Sequence, residues 1–198
     1  MISSVKRVSK SKKDLRKELL SIRSQLSVDE CNEKSDLISY KLFSILDELR
    51  INKVACYYSY NNEVNTEGII NKLLESGVKV YLPVSYIVNN KSCMDFYKIR
   101  DYGDVIEGYK GIKEPKSRDE LFSIDSGDKF DVIIVPLVGF DEDKNRIGYG
   151  KGFYDTFLSK IKSIPIIGIA YECQKVNSVP YESNDIRLSY IVTEERIY

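Results

Sequence analysis

Four consecutive β-branched residues, Val132-Ile133-Ile134-Val135, sit between Asp131 and Pro136. Such side chains fit a pleated, buried surface and a proline removes a ladder donor, so the run reads as a buried strand ending near Pro136. A polar connection, Phe140 to Asn145, separates it from Arg146-Ile147-Gly148-Tyr149-Gly150-Lys151-Gly152-Phe153-Tyr154-Asp155. Glycine at every second position of 148–152 leaves backbone with no Cβ in the way, so its N–H groups can face an anion. Arg146 and Lys151 bracket that loop, and Asp155 falls where a helix is expected to begin. Cations, backbone donors and a lone carboxylate suit a magnesium-complexed phosphate. The spacing matches neither the phosphate-loop pattern nor the dinucleotide fingerprint, so a glycine-rich turn flanked by solvated basic residues is the competing reading.

The rest of the chain builds a sheet around this strand. Leu15, Leu19, Ile22 and Leu26 repeat at helical spacing across Lys10 to Leu26, with Lys12, Lys13, Arg16 and Lys17 around them. Ser27 and Glu30 form a capping-box pattern ahead of a second helix through Leu49. Val54 to Ser59 reads as the first strand, Thr66 as the start of a helix that ends near Gly77, and Val78 to Val84 as a second strand ending around Pro83. Met94 to Ile99 is expected at a sheet edge, Gly108 to Pro115 as a loop, and Tyr154 to Ile161 as a helix. Ile164 to Tyr171 and Leu188 to Val192 are expected as further strands. This alternation predicts an α/β fold: a single three-layer domain with a mostly parallel central sheet and helices on both faces. It spans residues 1–198, with 1–10 as a tail and 86–114 as a small lobe or lid. Ligands of such sheets bind outside the carboxyl ends of the strands, where Glu63 falls, although a single loop glutamate is commonly just solvated.

Composition narrows the chemistry. The 198 residues include no histidine, which removes the usual general base, the Ser-His-Asp arrangement and most zinc sites. Thirty basic and 30 acidic residues cancel, against a general nucleic-acid surface. The four cysteines, Cys31, Cys56, Cys93 and Cys173, lack metal-ligand spacing and read as reduced thiols of an intracellular protein. No membrane span or signal peptide is expected, which points to the cytoplasm. The basic, serine-containing opening from Ser3 to Lys13 leaves organelle targeting as the alternative.

Residues Pro136 to Leu158 closely resemble the signature of the 5-formyltetrahydrofolate cyclo-ligase family, also called 5,10-methenyltetrahydrofolate synthetase. The family pattern is Pro-Gly-x-x-Phe-Asp followed by Arg-Leu-Gly-x-Gly-x-Gly-Tyr-Tyr-Asp. Supporting matches are Lys12 to Arg16, Asn62 to Thr66, Gly111 to Pro115, Asn184-Asp185 and Tyr190 to Glu195. The resemblance implies an ATP- and Mg2+-dependent enzyme that cyclises 5-formyltetrahydrofolate (folinic acid, with or without a polyglutamate tail) to 5,10-methenyltetrahydrofolate, releasing ADP and phosphate. Lys12, Lys13, Arg16, Arg146, Gly148, Tyr149, Gly150, Lys151 and Gly152 would then hold ATP, and Asp155 and Asp185 the metal. Tyr58, Glu63 and Tyr154 would meet the folate, and Arg146, Lys151 and Tyr154 would act in catalysis. A monomer without nucleic-acid or membrane partners is expected. Leu137 stands where the family often has glycine, Gly139 where alanine is common, and Ile147 where leucine is usual. Phe153 replaces the first tyrosine of the pair, and Asn184 stands where many members carry histidine. A non-catalytic nucleotide- or folate-binding regulatory protein of the same fold is the alternative.

Overall fold

The computed structural model describes residues 10–108, 111–161, 163–182 and 185–198. Ser11 caps helix α1 (Lys12–Arg23), accepting from the Asp14 amide. Ser27 opens α2 (Val28–Leu49) through the expected capping box, with both reciprocal bonds to Glu30 formed. Strand β1 (Lys53–Ala55) precedes α3 (Glu67–Glu75), β2 (Lys79–Val88) and β3 (Lys91–Ile99). The short strands β4 (Val105–Glu107) and β5 (Lys113–Pro115) follow, then β6 (Val132–Pro136), β7 (Gly139–Phe140) and β8 (Arg146–Ile147). Helix α4 (Phe153–Leu158), β9 (Ile166–Ile169) and β10 (Tyr190–Val192) complete the chain.

Six strands form one sheet in the order β10-β9-β6-β1-β2-β3, parallel throughout except for β3. The apolar run at 132–135 is buried between β1 and β9. Its side chains alternate between faces, as a two-residue period requires. Val132 and Ile134 pack beneath α2 and α3 with Ile38, Leu42, Ile69 and Leu73, whereas Ile133 and Val135 face Phe96, Phe130 and Phe157 on the side of α4. The fold is thus a mixed, mostly parallel sheet with helices on both faces. Among the described residues no helix is long and apolar enough to cross a membrane.

Several boundaries differ from the sequence expectation. Strand β1 stops at Ala55 because Thr66 captures the backbone beyond it: its hydroxyl donates to the Tyr57 carbonyl and accepts from the Ser59 amide. Thr66 therefore does not cap α3 with its side chain, and the Glu67 amide bonds to Asn65 instead. Strand β2 runs through Pro83 rather than ending there. Past Tyr81 it is paired with β3 alone, so a proline without an N–H breaks no ladder on its other side. The segment expected as a loop at 108–115 contains β5, which pairs with β4; its Tyr109 and Lys110 lie outside the described residues.

Strand order reverses at β1: β2 and β3 extend to one side, β6, β9 and β10 to the other. Open parallel sheets bind ligands in the crevice at such a reversal, outside the carboxyl ends of the strands. Helix α1 lies past the end of β6, packing Leu15 and Leu19 against Val138, Ile147 and Val179.

Candidate active site at the strand-order reversal

The loops that leave β1 and β6 meet in this crevice. Residues 57–66 are pinned from several directions. Tyr57 donates its hydroxyl to the Val64 carbonyl, Tyr171 to the Glu63 carbonyl, and Ser35 of α2 accepts from the Asn65 amide. These bonds turn Glu63 inward, where it is 8% exposed rather than solvated as a lone loop glutamate commonly is. Its Oε2 accepts from the Tyr60 amide at 3.0 Å and its Oε1 from the Tyr149 hydroxyl. Burial pushes the Glu63 carboxyl above the ordinary carboxylate value, opposed by the Tyr149 bond, the Arg23 charge and the Tyr60 amide.

Arg23 was not singled out from the sequence. It follows Leu15 and Leu19 along the buried ridge of α1 and is 4% exposed. Its Nη2 donates to the Tyr149 hydroxyl at 2.6 Å and its Nη1 to the Leu137 carbonyl at 3.4 Å. The signal for it is a cation at the next i+4 position of an apolar helical stripe, seven residues after Arg16.

The glycine-rich loop runs beside α1. Arg16 donates from Nε to the Gly148 carbonyl at 2.6 Å. Its guanidinium lies so close to Gly150 that a Cβ there would sit 2.9 Å from Arg16 Cζ. Gly150 and Gly152 also have φ of +81° and +71°, which side-chain-bearing residues rarely adopt. The Lys151 carbonyl accepts from the Ser92 hydroxyl of β3, while the Lys151 side chain is exposed.

Arg146 enters from the floor. It is paired with Asp155 and donates to the Ile186 carbonyl at 2.8 Å. Burial lowers its pKa, opposed by the nearby Asp155 and Asp185 carboxylates, and an arginine stays charged under such a shift. Lys12 pairs with Asp185 at 2.5 Å, and Lys13 is exposed. Tyr154, in the first turn of α4, is half-buried against the Phe96 and Phe157 cluster; desolvation, then Glu63 and Cys56, hold its hydroxyl well above a phenol's usual value, with Arg146 pulling it down. It is therefore a protonated donor at neutral pH.

Glu63, Tyr149 and Tyr154 are thus gathered with Arg146 and the glycine loop. Tyr58 joins a different cluster, where its hydroxyl accepts from Lys113 at 2.9 Å and contacts Glu67 and Tyr102. Among the described residues no three His, Cys, Asp or Glu side chains form a closed metal cage. Leu137 is buried and packs over Gly168, where a Cβ would approach its Cδ1 to 2.7 Å. Asn184 lies outside the described residues.

Residues 8–194 match the model of the 5-formyltetrahydrofolate cyclo-ligase family. The 5-formyltetrahydrofolate cyclo-ligase of Haemophilus influenzae is 28% identical over 179 residues, covering 89% of this chain and 94% of the relative. That of Escherichia coli K12 is 29% identical over 179 residues, covering 89% and 96%. The NMR structure of the Aquifex aeolicus 5,10-methenyltetrahydrofolate synthetase superposes with a TM-score of 0.79 at 30% identity, covering 94% of this chain and 91% of the other.

Proposed function

The chain belongs to the 5-formyltetrahydrofolate cyclo-ligase family, and on that premise we propose how its residues divide the work. The enzyme converts 5-formyltetrahydrofolate to 5,10-methenyltetrahydrofolate at the expense of ATP. In the proposed arrangement the loop Gly148 to Gly152, with Lys12, Lys13, Arg16, Arg146 and Lys151, holds the nucleotide phosphates. Glu63 receives hydrogen-bond donors of the pteridine ring, Tyr154 donates toward the reacting groups, and Tyr58 lies further along the folate. The observation that supports this division is the direct bond between Tyr149 of the loop and Glu63, since it brings the glycine-rich loop and a buried carboxylate side by side.

Magnesium suits the carboxylates present. The cation takes few protein ligands and completes its shell with phosphate and water oxygens, so a closed protein cage is unnecessary. Asp155 and Asp185 both bear on Arg146 electrostatically and are paired with Arg146 and Lys12, which puts two hard oxygen donors beside the cations proposed to hold phosphate. They would hold the ion, which shields phosphate charge when bound.

The reaction proceeds without a histidine. The formyl oxygen bonds to the γ-phosphorus as its bond to ADP breaks. N10 then attacks the formyl carbon and loses its proton, and the carbon–oxygen bond breaks with its electron pair leaving on phosphate. Phosphoryl transfer asks the protein mainly for positioning and charge stabilisation, which Arg146, Lys151 and loop amides supply. The test is the near-ultraviolet absorbance of the conjugated product during turnover. Arg146→Ala and Asp155→Asn are each expected to lower kcat/KM by about a hundredfold or more. Near-normal turnover in both folded variants would overturn the assignment.

A further inference from the structure

We propose that Tyr149 couples the nucleotide loop to the folate site: one hydroxyl, bonded to both Arg23 and Glu63, makes the position of the loop and the orientation of the carboxylate depend on each other. The inference rests on the reading of Glu63 as the folate-facing carboxylate and of the glycine loop as the phosphate cradle.

Three features carry it. Arg23 and Glu63 are opposite charges buried in the same wall, yet they form no ion pair within 4.0 Å among the described residues. The Tyr149 hydroxyl stands between them, accepting from Arg23 Nη2 at 2.6 Å and donating to Glu63 Oε1. A direct pair would hold regardless of the loop, whereas a bridged one holds only while the bridging residue stays in place.

Second, the bridge is mounted on the loop itself. Tyr149 lies between Gly148, whose carbonyl Arg16 holds, and Gly150, which leaves room for the Arg16 guanidinium. A ligand that fixes this backbone also fixes the phenol. Third, the two oxygens of Glu63 have separate anchors. Oε2 is held by the Tyr60 amide of its own loop, so Oε1 is the oxygen whose placement the glycine loop sets. Each carboxylate oxygen keeps another lone pair for pteridine donors. Nucleotide on the loop therefore presents Glu63 already oriented, and folate on Glu63 favours the loop position that holds nucleotide. Such linkage is reciprocal in binding free energy.

The experiment measures the dissociation constant of 5-formyltetrahydrofolate with and without saturating magnesium and a non-hydrolysable ATP analogue. Wild type and Tyr149→Phe are compared, with thermal unfolding as the check on folding. In wild type the analogue is expected to tighten folate about tenfold, and folate to tighten the analogue by the same factor. In Tyr149→Phe folate affinity without nucleotide is expected to fall about tenfold, and the analogue's effect to fall below about twofold. Tyr149→Ala admits water to both charges and serves if the phenylalanine variant folds poorly; it is expected to lose the coupling too. A coupling factor unchanged in the folded variants, or absent from wild type, overturns the proposal. Turnover of wild type in the absorbance assay separates the levels: its absence falls on the reading of the site, whereas turnover with unchanged coupling falls on Tyr149 alone.

Discussion

Burial resists the ionisation of Glu63, and that has a consequence for pH. A carboxyl whose folded pKa lies above the unfolded value of 4.5 binds its proton more tightly in the folded protein, so its ionisation lowers stability as pH rises through that interval. In the role proposed for Glu63 the charge is required, because pteridine donors need an anionic acceptor. Affinity for 5-formyltetrahydrofolate is therefore expected to weaken as pH falls from neutrality, with a midpoint above 4.5. Glu63→Gln should flatten that acid limb and weaken binding at neutral pH by about tenfold or more. Titrated dissociation constants check this, and a midpoint at or below 4.5 would contradict it. The residue type and its place after β1 were legible in the sequence; its burial was not. That burial depends on Tyr171 and Ser35, which are distant in the chain and reach the 57–66 loop only once β9 and α2 are in place. Arg23 was obscured for a related reason, since its position continues the Leu15 and Leu19 ridge and a helical-periodicity reading assigns such a position to packing.

Among the elements, the glycine loop is the most tightly specified. Gly150 must adopt a positive φ and lie flat against Arg16, two demands that no side chain meets together. Gly150→Ala is expected to cost about 1–2 kcal/mol in backbone conformation alone, and to displace Arg16 as well. The predicted signature is a KM for ATP raised about tenfold or more with the thermal midpoint lowered by about 2–8 °C. An unchanged KM in a folded variant would refute the tight approach. Element type was readable along most of the chain because local patterns decide it: the Ser27 capping box, the β-branched run at 132–135 and the helix expected from Tyr154, which begins one residue earlier at Phe153. Element length was less readable. Thr66 ends β1 by capturing the backbone of Tyr57 and Ser59, and Pro83 is tolerated because β1 no longer pairs there, both facts about neighbours rather than about the segments themselves.

On the scale of the whole molecule, α1 differs from the other long helix in how it is attached. Helix α2 buries Ile38, Leu42 and Leu46 in the large cluster beneath the sheet, whereas α1 contributes Leu15 and Leu19 to a small separate cluster with Val138, Ile147 and Val179. Half-buried Leu20 and Ile22 add to that cluster, and the polar ties of α1 include Lys12 to Asp185, Arg16 to the Gly148 carbonyl, and Arg23 to Tyr149 and the Leu137 carbonyl. A helix with so few buried apolar contacts opens at lower free energy than the core. Ligands that engage its cations bind only the closed form and stabilise it by RT ln(1 + [L]/Kd), about 2.7 kcal/mol at a hundredfold excess over Kd. Amide exchange in α1 is accordingly expected to be faster than in β6 or α2 in the free enzyme. A non-hydrolysable ATP analogue with magnesium should slow it by up to about a hundredfold, while α2 and α3 change far less. Leu19→Ala weakens the small cluster and should raise exchange in α1 selectively, with the nucleotide recovering part of the loss. Exchange that slows equally across α1, α2 and β6 would mean that α1 opens only with the whole fold, and the helix would then be a fixed wall of the site rather than a part that nucleotide completes.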